Sequence, residues 1–246
     1  MARIAVLGLG EAGGRIAVDL VACGVDVRGY DPAVSSVGGI ECAADPASAV
    51  TEASVVLSLT TAAAARDVAA AALPGLRPDA LYADLNAAGP ELKRELAMLV
   101  PSFVDVALLG AVTMRGLRTP ALASGPGAER FAELFEPLGM PVEVVSDRPG
   151  DASALKLLRS VFMKGIAAAA LESLAAAEAA GRREWLEAQL AEVLTPVVLR
   201  RLVEGSRRHA ARRVDELDAA CELLASLGVE PRIATASRAI LAELGE

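Results

Sequence analysis

The sequence predicts an α/β protein, a doubly wound parallel sheet followed by a second, smaller all-α domain. Up to about residue 148, short β-rich runs alternate with alanine-rich helical stretches, the pattern of a parallel sheet covered by helices. A glycine-patterned turn joins the first run to the first helical stretch, and beyond about Asp151 the strand pattern stops. The expected domains are residues 1–148, binding a dinucleotide, and residues 149–246, all helical.

The strand candidates are Arg3–Leu7, Asp26–Tyr30, Val55–Leu59, Leu81–Asp84, Phe103–Ala107, Pro120–Ser124 and Val142–Val145, each a short apolar run bounded by turn residues. Between them lie helical segments Gly13–Cys23, Ala62–Ala72, Pro90–Val100 and Ala128–Leu138. The boundary falls in Ser146-Asp147-Arg148-Pro149-Gly150-Asp151, dense in turn and capping residues. After it, helices are expected to break at Gly181, Thr195-Pro196, Gly205-Ser206 and Gly228-Val229-Glu230-Pro231, with Pro196 suited to a first helical position. A C-terminal part of about 95 residues is small for a self-sufficient core, and apolar faces such as Ile166–Leu174 suggest that a second subunit completes it.

Composition narrows the chemistry. With 24 basic and 32 acidic residues the formal charge is −8, which offers no general attraction to nucleic acid or anionic membranes. One histidine, His209, and three dispersed cysteines, Cys23, Cys42 and Cys221, argue against a His/Cys metal site and suit a reducing compartment. Only Lys93, Lys156 and Lys164 supply amines, the other basic residues being arginine. The longest uncharged stretch, Ala53–Ala65, is 13 residues, short of a membrane span. Met1-Ala2-Arg3-Ile4 leads straight into a strand without a signal-peptide layout, so a soluble cytoplasmic protein is expected.

Gly8-Leu9-Gly10-Glu11-Ala12-Gly13 forms a GxGxxG pattern between the first strand and its helix. Gly8 permits the tight turn, Gly10 lets the backbone approach a pyrophosphate, Gly13 lets helix and strand pack closely, and the helix N-terminus offers N–H groups to the anion. Asp31, 18 residues after Gly13, ends the second strand where a carboxylate accepts from an adenosine ribose. No arginine follows in Pro32-Ala33, which favours NAD over NADP, and Arg28 would have to swing in to serve a 2′-phosphate. Leu59 and Thr60, at the end of the Val55–Leu59 strand, are expected to border the nicotinamide through backbone groups.

Lys156, Ser160 and Lys164 are spaced i, i+4, i+8 on one helical stripe, compatible with a desolvated lysine base or with two surface lysines. Together with the glycine loop, Asp84-Leu85-Asn86-Ala87-Ala88-Gly89-Pro90, the segment from Asp105 to Gly110, and Gly150-Asp151-Ala152-Ser153-Ala154-Leu155-Lys156 follow the order found in the β-hydroxyacid and 6-phosphogluconate dehydrogenases. The chain resembles that superfamily over nearly its whole length, and most closely a poorly characterised branch with a short helical C-terminal domain. The resemblance implies a Rossmann domain and places Lys156 at the family's catalytic lysine, which exchanges a proton with the substrate hydroxyl while hydride moves to or from the nicotinamide. Ser160 falls where the family carries an asparagine, Asn86 on its serine and Ala87 on its threonine. Asn86 retains a side chain able to donate to a substrate carboxylate, which Ala87 lacks.

Arg207, Arg208, Arg212 and Arg213 surround His209 on what reads as one helix. Arg212 and Arg213 stand near Asp215-Glu216-Leu217, which resembles the family's lysine-aspartate-leucine element without its lysine, and are candidates for a substrate anion. The expected activity is an NAD(P)-dependent oxidoreductase acting on the CH–OH or carbonyl of a small hydroxy acid or sugar acid. The alternatives are an imine reductase-like enzyme or a non-catalytic dinucleotide-binding protein. A homodimer through the C-terminal helices is expected, without nucleic-acid, membrane or metal partners.

Overall fold

The computed structural model describes residues 3–245. Met1 and Ala2, part of the expected N-terminal layout, lie outside the described residues. The chain divides into two compact units, one ending at Lys156 and one beginning at Leu157.

The first unit is built on an eight-stranded sheet in the order β3-β2-β1-β4-β5-β6-β7-β8. Its strands are β1 (Ile4–Leu7), β2 (Val27–Tyr30), β3 (Glu41–Cys42), β4 (Val55–Ser58), β5 (Leu81–Asp84), β6 (Phe103–Leu108), β7 (Ala121–Ser124) and β8 (Val142–Ser146). Its helices are α1 (Glu11–Ala22), α2 (Pro46–Val50), α3 (Ala62–Ala72), α4 (Pro90–Leu99), α5 (Val112–Arg115) and α6 (Ala128–Phe135). Both sheet faces are covered. Val6, Leu57, Ala83, Val104 and Val106 pack with Ile16, Leu20, Phe131 and Phe135 on one side. Ala5, Leu7, Val56, Tyr82 and Phe103 pack with Ala65, Ala69 and Leu96 on the other. Alanine on α3 lets that helix lie close to the sheet.

Capping residues set the helix starts. Thr61 Oγ1 accepts from Ala64 N (3.2 Å), and Asp45 Oδ1 from Ser48 N (2.7 Å). Pro90 opens α4 after Gly89. The elements β3, α2 and α5, of two, five and four residues, are absent from the sequence reading because they are too short to carry a period.

One pairing departs from the expected parallel order. β7 runs antiparallel to β6, with Asp105 opposite Ser124 and Leu108 opposite Ala121, while β8 is parallel to β7. The connection after β6 holds only the short α5 and a 3-10 turn, Gly116–Arg118. It is tied to α1, where Asp19 Oδ2 accepts from Leu117 N (2.8 Å) and Arg15 donates to Thr113 O (3.2 Å). No helix spans the sheet there, so the chain returns alongside β6 instead of crossing over.

α7 (Asp151–Ala179) begins in the first unit and continues into the second. Among the described residues it is the one helix long and apolar enough to cross a membrane, a property that counting uncharged residues passes over; it is partly buried in the fold. α8 (Arg183–Leu194), α9 (Pro196–Arg208), α10 (Ala210–Ser226) and α11 (Arg232–Ala242) complete the second unit. Its core joins Ala170, Leu171 and Leu174 of α7 to Leu199, Val203, Leu217, Ala234 and Leu241.

The expected break at Gly205-Ser206 does not occur. α9 runs through both residues and ends at Arg208. Ser206 Oγ donates back to Leu202 O at 2.6 Å, satisfying the hydroxyl within the helix. A Cβ on Gly205 would lie 3.0 Å from the Arg213 guanidinium, so glycine there makes room for an arginine. The four arginines therefore do not share a helix: Arg207 and Arg208 end α9, Arg212 and Arg213 lie on α10, and His209 is the joint.

Candidate active site

Register places the candidate residues along one edge of the first unit's sheet. Tyr30, Leu7, Ser58, Asp84, Asp105 and Ser124 are successive partners across β2, β1, β4, β5, β6 and β7. Gly8, Asp31, Leu59 and Asn86 therefore leave the sheet at its carboxyl edge, near the point where the order reverses between β1 and β4. Ligands of doubly wound sheets bind at such an edge.

The glycine loop is built for close approach. Gly8 has φ +95°, and a Cβ on it would meet Leu59 O at 2.4 Å. A Cβ on Gly13 would fall 1.9 Å from Gly8 O, so α1 can sit this near β1 only with glycine there. Gly10 differs, because a Cβ on it would meet nothing within 4 Å. Gly10 is exposed and serves as N-cap of α1 without a side-chain cap. The first-turn N–H groups of Glu11, Ala12 and Gly13 have no intrahelical acceptors, as at any helix start. Together these form an open cradle of backbone donors, and a dinucleotide pyrophosphate fits the residues present.

Asp31 ties the loop to β2. Its Oδ2 accepts from Leu9 N (2.8 Å), and its Oδ1 from Ala33 N (2.8 Å) and Val34 N (3.2 Å). Each carboxylate oxygen can accept more than one bond, so a ribose hydroxyl can still be taken. Arg28 is not turned toward this end of the strand but pairs with Glu41 (3.3 Å) on β3. Its Nε is buried without a hydrogen-bond partner.

Next to the loop lies a buried polar cluster largely missed by the sequence reading. Lys93 Nζ on α4 is 2.5 Å from Asp84 Oδ2 and 3.2 Å from Asp105 Oδ1, with all three side chains fully enclosed. Burial opposes the Lys93 charge, but the two carboxylates outweigh it and hold the ammonium above its ordinary range. Burial pushes the Asp84 carboxyl up against the pull of Lys93, and it pushes the enclosed Tyr82 phenol up as well. Asp105 also accepts from Ser124 Oγ (3.2 Å), Ser153 N (2.9 Å) and Ser153 Oγ (2.7 Å), while Ala152 N donates to Ser124 Oγ (3.0 Å). The first turn of α7 is thus seated on β6 and β7, three residues before Lys156, which is partly exposed. The available signal was polar residues inside apolar strand runs, at Ser58, Asp84 and Asp105.

Asn86 has a different polarity from that expected. Its Nδ2 donates to Asp84 Oδ1 (2.5 Å) and Ser58 Oγ (3.1 Å), so both amide hydrogens are taken inside the fold. A free donor for a substrate carboxylate is therefore lacking. Its Oδ1 lies 3.5 Å from Thr60 Oγ1, at the long limit of a hydrogen bond.

The first unit thus brings together the glycine loop, Asp31, Leu59, Thr60 and Asn86, and seats the helix start that leads to Lys156. Ser160, Arg212 and Arg213 belong to the second unit. There Ser160 is buried, and Lys164 forms an ion pair with Glu216. Burial lowers the Lys164 pKa, with Arg213 and Arg212 adding to the effect against Glu216. Arg213 donates to Ser206 Oγ (2.8 Å), and partial burial lowers its pKa; Arg212 is exposed.

Known proteins share this fold. Residues 3–112 match the NAD binding domain of 6-phosphogluconate dehydrogenase, and residues 177–244 match a domain of unknown function, DUF1932. A conserved hypothetical protein from Sinorhizobium meliloti is 34% identical over 98% of this chain and 88% of its own, with a TM-score of 0.74. The chain belongs to the β-hydroxyacid and 6-phosphogluconate dehydrogenase superfamily. Within that superfamily it falls in a poorly characterised branch. The conserved protein MTH1747, of unknown function and structurally similar to 3-hydroxyacid dehydrogenases, is 30% identical over 98% of this chain and 96% of its own, with a TM-score of 0.75. The 3-hydroxyisobutyrate dehydrogenase of Mycobacterium tuberculosis, at 21% identity, shares the fold with a TM-score of 0.82 over 99% of this chain and 93% of its own. The superfamily assignment makes the chain a dehydrogenase-like protein with a nicotinamide dinucleotide site.

Proposed function

We propose that this protein interconverts a CH–OH group and a carbonyl on a small hydroxy acid or sugar acid, with Lys156 as general acid–base. The observation that carries the reading is the cross-strand row ending β1, β4 and β5, which sets the glycine loop and Asn86 along the edge where Asp105 and Ser124 seat the helix bearing Lys156. A nicotinamide dinucleotide, when bound, supplies the hydride acceptor or donor. The backbone of residues Gly8–Gly13 holds its pyrophosphate, Asp31 its ribose, and Leu59 and Thr60 border its other end. A carboxylate at Asp31, with Arg28 engaged by Glu41, supports NAD rather than NADP. Lys156 takes the proton of the substrate hydroxyl on oxidation and returns it on reduction.

The test is a screen of hydroxy acids and sugar acids with NAD⁺, followed by absorbance of the reduced cofactor and repeated on Lys156→Ala. Turnover should fall by about 10²-fold or more in the variant while NADH binding persists. Full activity of Lys156→Ala would overturn the mechanism.

A homodimer through the C-terminal helices fits an open apolar trough of about 520 Å³ on the second unit, lined by Leu158, Phe162, Ile166 and Ile233 among others. Phe162 and Ile233 are 67% and 61% exposed, a large apolar area for a surface left to water. Light scattering on Phe162→Glu should show a monomer where the unmodified chain is a dimer. For cytoplasmic placement the support is the sequence itself, with three dispersed cysteines and no C-x-x-C pair.

A further inference from the structure

The polarity of Asn86 follows from charges that the reaction itself does not use. Asp84 is fully buried, with Lys93 against Oδ2 and Asn86 Nδ2 against Oδ1. Turning the amide over would put its carbonyl oxygen 2.5 Å from an oxygen of a carboxylate that Lys93 keeps paired, with no hydrogen between them. Ser58 Oγ, at 3.1 Å, takes the second amide hydrogen. Lys93 is itself fixed from a second side by Asp105, which holds it at 3.2 Å and is anchored by Ser124 and Ser153. The amide therefore has one stable orientation, with its donors inward and its acceptor toward Thr60 at the carboxyl edge.

We infer that Lys93 is a positioning residue that, through Asp84, locks Asn86 with its carbonyl oxygen toward the substrate, and that this position selects a hydrogen-bond donor, a hydroxyl or amino group, over a carboxylate. The inference rests on the proposed oxidoreductase site for the identity of the ligand, but the orientation of the amide does not depend on turnover. A carboxylate placed against Asn86 Oδ1 would meet an acceptor and be repelled. Asn86 is only 4% exposed, so the ligand group must be small; a hydroxyl that reaches Oδ1 finds an acceptor with a lone pair to spare, since the contact from Thr60 is long and uses only one. The carboxylate of an acidic substrate must then be met elsewhere.

The sequence makes the test direct. Asn86 is the only asparagine in the chain and Gln189 the only glutamine, so the side-chain amide region of a ¹⁵N spectrum of the full chain holds two NH₂ pairs. Gln189 is exposed and provides the reference. Both Asn86 hydrogens should exchange with water about tenfold or more slowly than those of Gln189. Rapid exchange of either would overturn the locked orientation. Lys93→Met should abolish the protection and Lys93→Arg should restore part of it, whereas unchanged protection in Lys93→Met would remove Lys93 from the account. For the ligand class, the NADH-loaded protein is titrated with 3-hydroxypropionate and with propionate while the Asn86 signals are followed. The hydroxyl-bearing acid should bind about fivefold more tightly, and Asn86→Leu should erase the difference. Equal affinities, tighter propionate, or no shift with either acid would overturn the donor assignment. Because these readouts need no hydride transfer, a chain that binds as stated yet turns over no hydroxy acid would refute the proposed reaction and leave this inference standing.

Discussion

Replacing Lys93 by methionine tests the electrostatics of the first unit most severely. Methionine keeps much of the volume but removes the ammonium enclosed between Asp84 and Asp105. Asp105 would retain three donors, Ser124 Oγ, Ser153 N and Ser153 Oγ, whereas Asp84 would keep only Asn86. The uncompensated charge is therefore on Asp84, and removing one partner from a buried ion pair costs about 3–5 kcal/mol near neutral pH. With a urea slope of about 2 kcal/mol per M, the unfolding midpoint should drop by about 2 M. The pH dependence has a definite sign. Burial already raises the folded-state pKa of Asp84 above its ordinary value, and loss of Lys93 raises it further. Such a group contributes stability that is present below the unfolded pKa and is lost as pH rises through the folded one. In the unmodified chain Lys93 is also raised, so its contribution persists until alkaline pH. The deficit of the variant should therefore be smallest at about pH 5 and largest at about pH 8, measured by urea unfolding followed by circular dichroism at each pH. A deficit below about 1 kcal/mol, or one that does not grow with pH, would refute the ion-pair account.

The glycine loop separates two roles. Gly13→Ala forces a Cβ to within 1.9 Å of Gly8 O and should lower both thermal stability and NADH affinity. Gly10→Ala meets nothing within 4 Å, so it should leave the melting temperature nearly unchanged yet weaken NADH binding about tenfold or more in a fluorescence titration. Asp31→Ala removes the acceptor of three backbone N–H groups and should weaken NAD binding while relaxing discrimination against NADP; a native preference for NADP would show the reading of Asp31 to be wrong. Ser153→Ala deletes the 2.7 Å bond to Asp105 and should cost about 1–3 kcal/mol in urea unfolding.

The sheet was legible because strand and helix periods differ, and because the first turn carries glycines at positions where a Cβ cannot fit. The elements β3, α2 and α5 were not, since two to five residues cannot display a period. The direction of β7 depends on how the preceding connection is tied to Arg15 and Asp19, about a hundred residues away along the chain, which no local pattern encodes. The Gly205-Ser206 pair is a breaker by composition, yet its helix continues because Ser206 bonds back to Leu202 and Gly205 admits Arg213. At the site, the glycines and Asp31 could be read from spacing, but the polarity of Asn86 could not. It depends on Lys93, seven residues on, and on Ser58, which β4 brings alongside β5.

The three lysines that composition singled out now have different surroundings. Lys93 is enclosed with two carboxylates, and Lys164 is buried and paired with Glu216. An ammonium in either place would have to leave its carboxylate and enter solvent before it could exchange a proton with a substrate, and burial makes that exit costly. Lys156 is the only lysine with a partly exposed side chain, one turn beyond the point where Asp105 seats α7. Acid–base work requires access to the reacting group as much as a suitable pKa, and the proposed function assigns that work to Lys156. Lys93 serves the same edge of the sheet differently, by holding Asp84, and through it Asn86, in one orientation while remaining out of reach of the substrate.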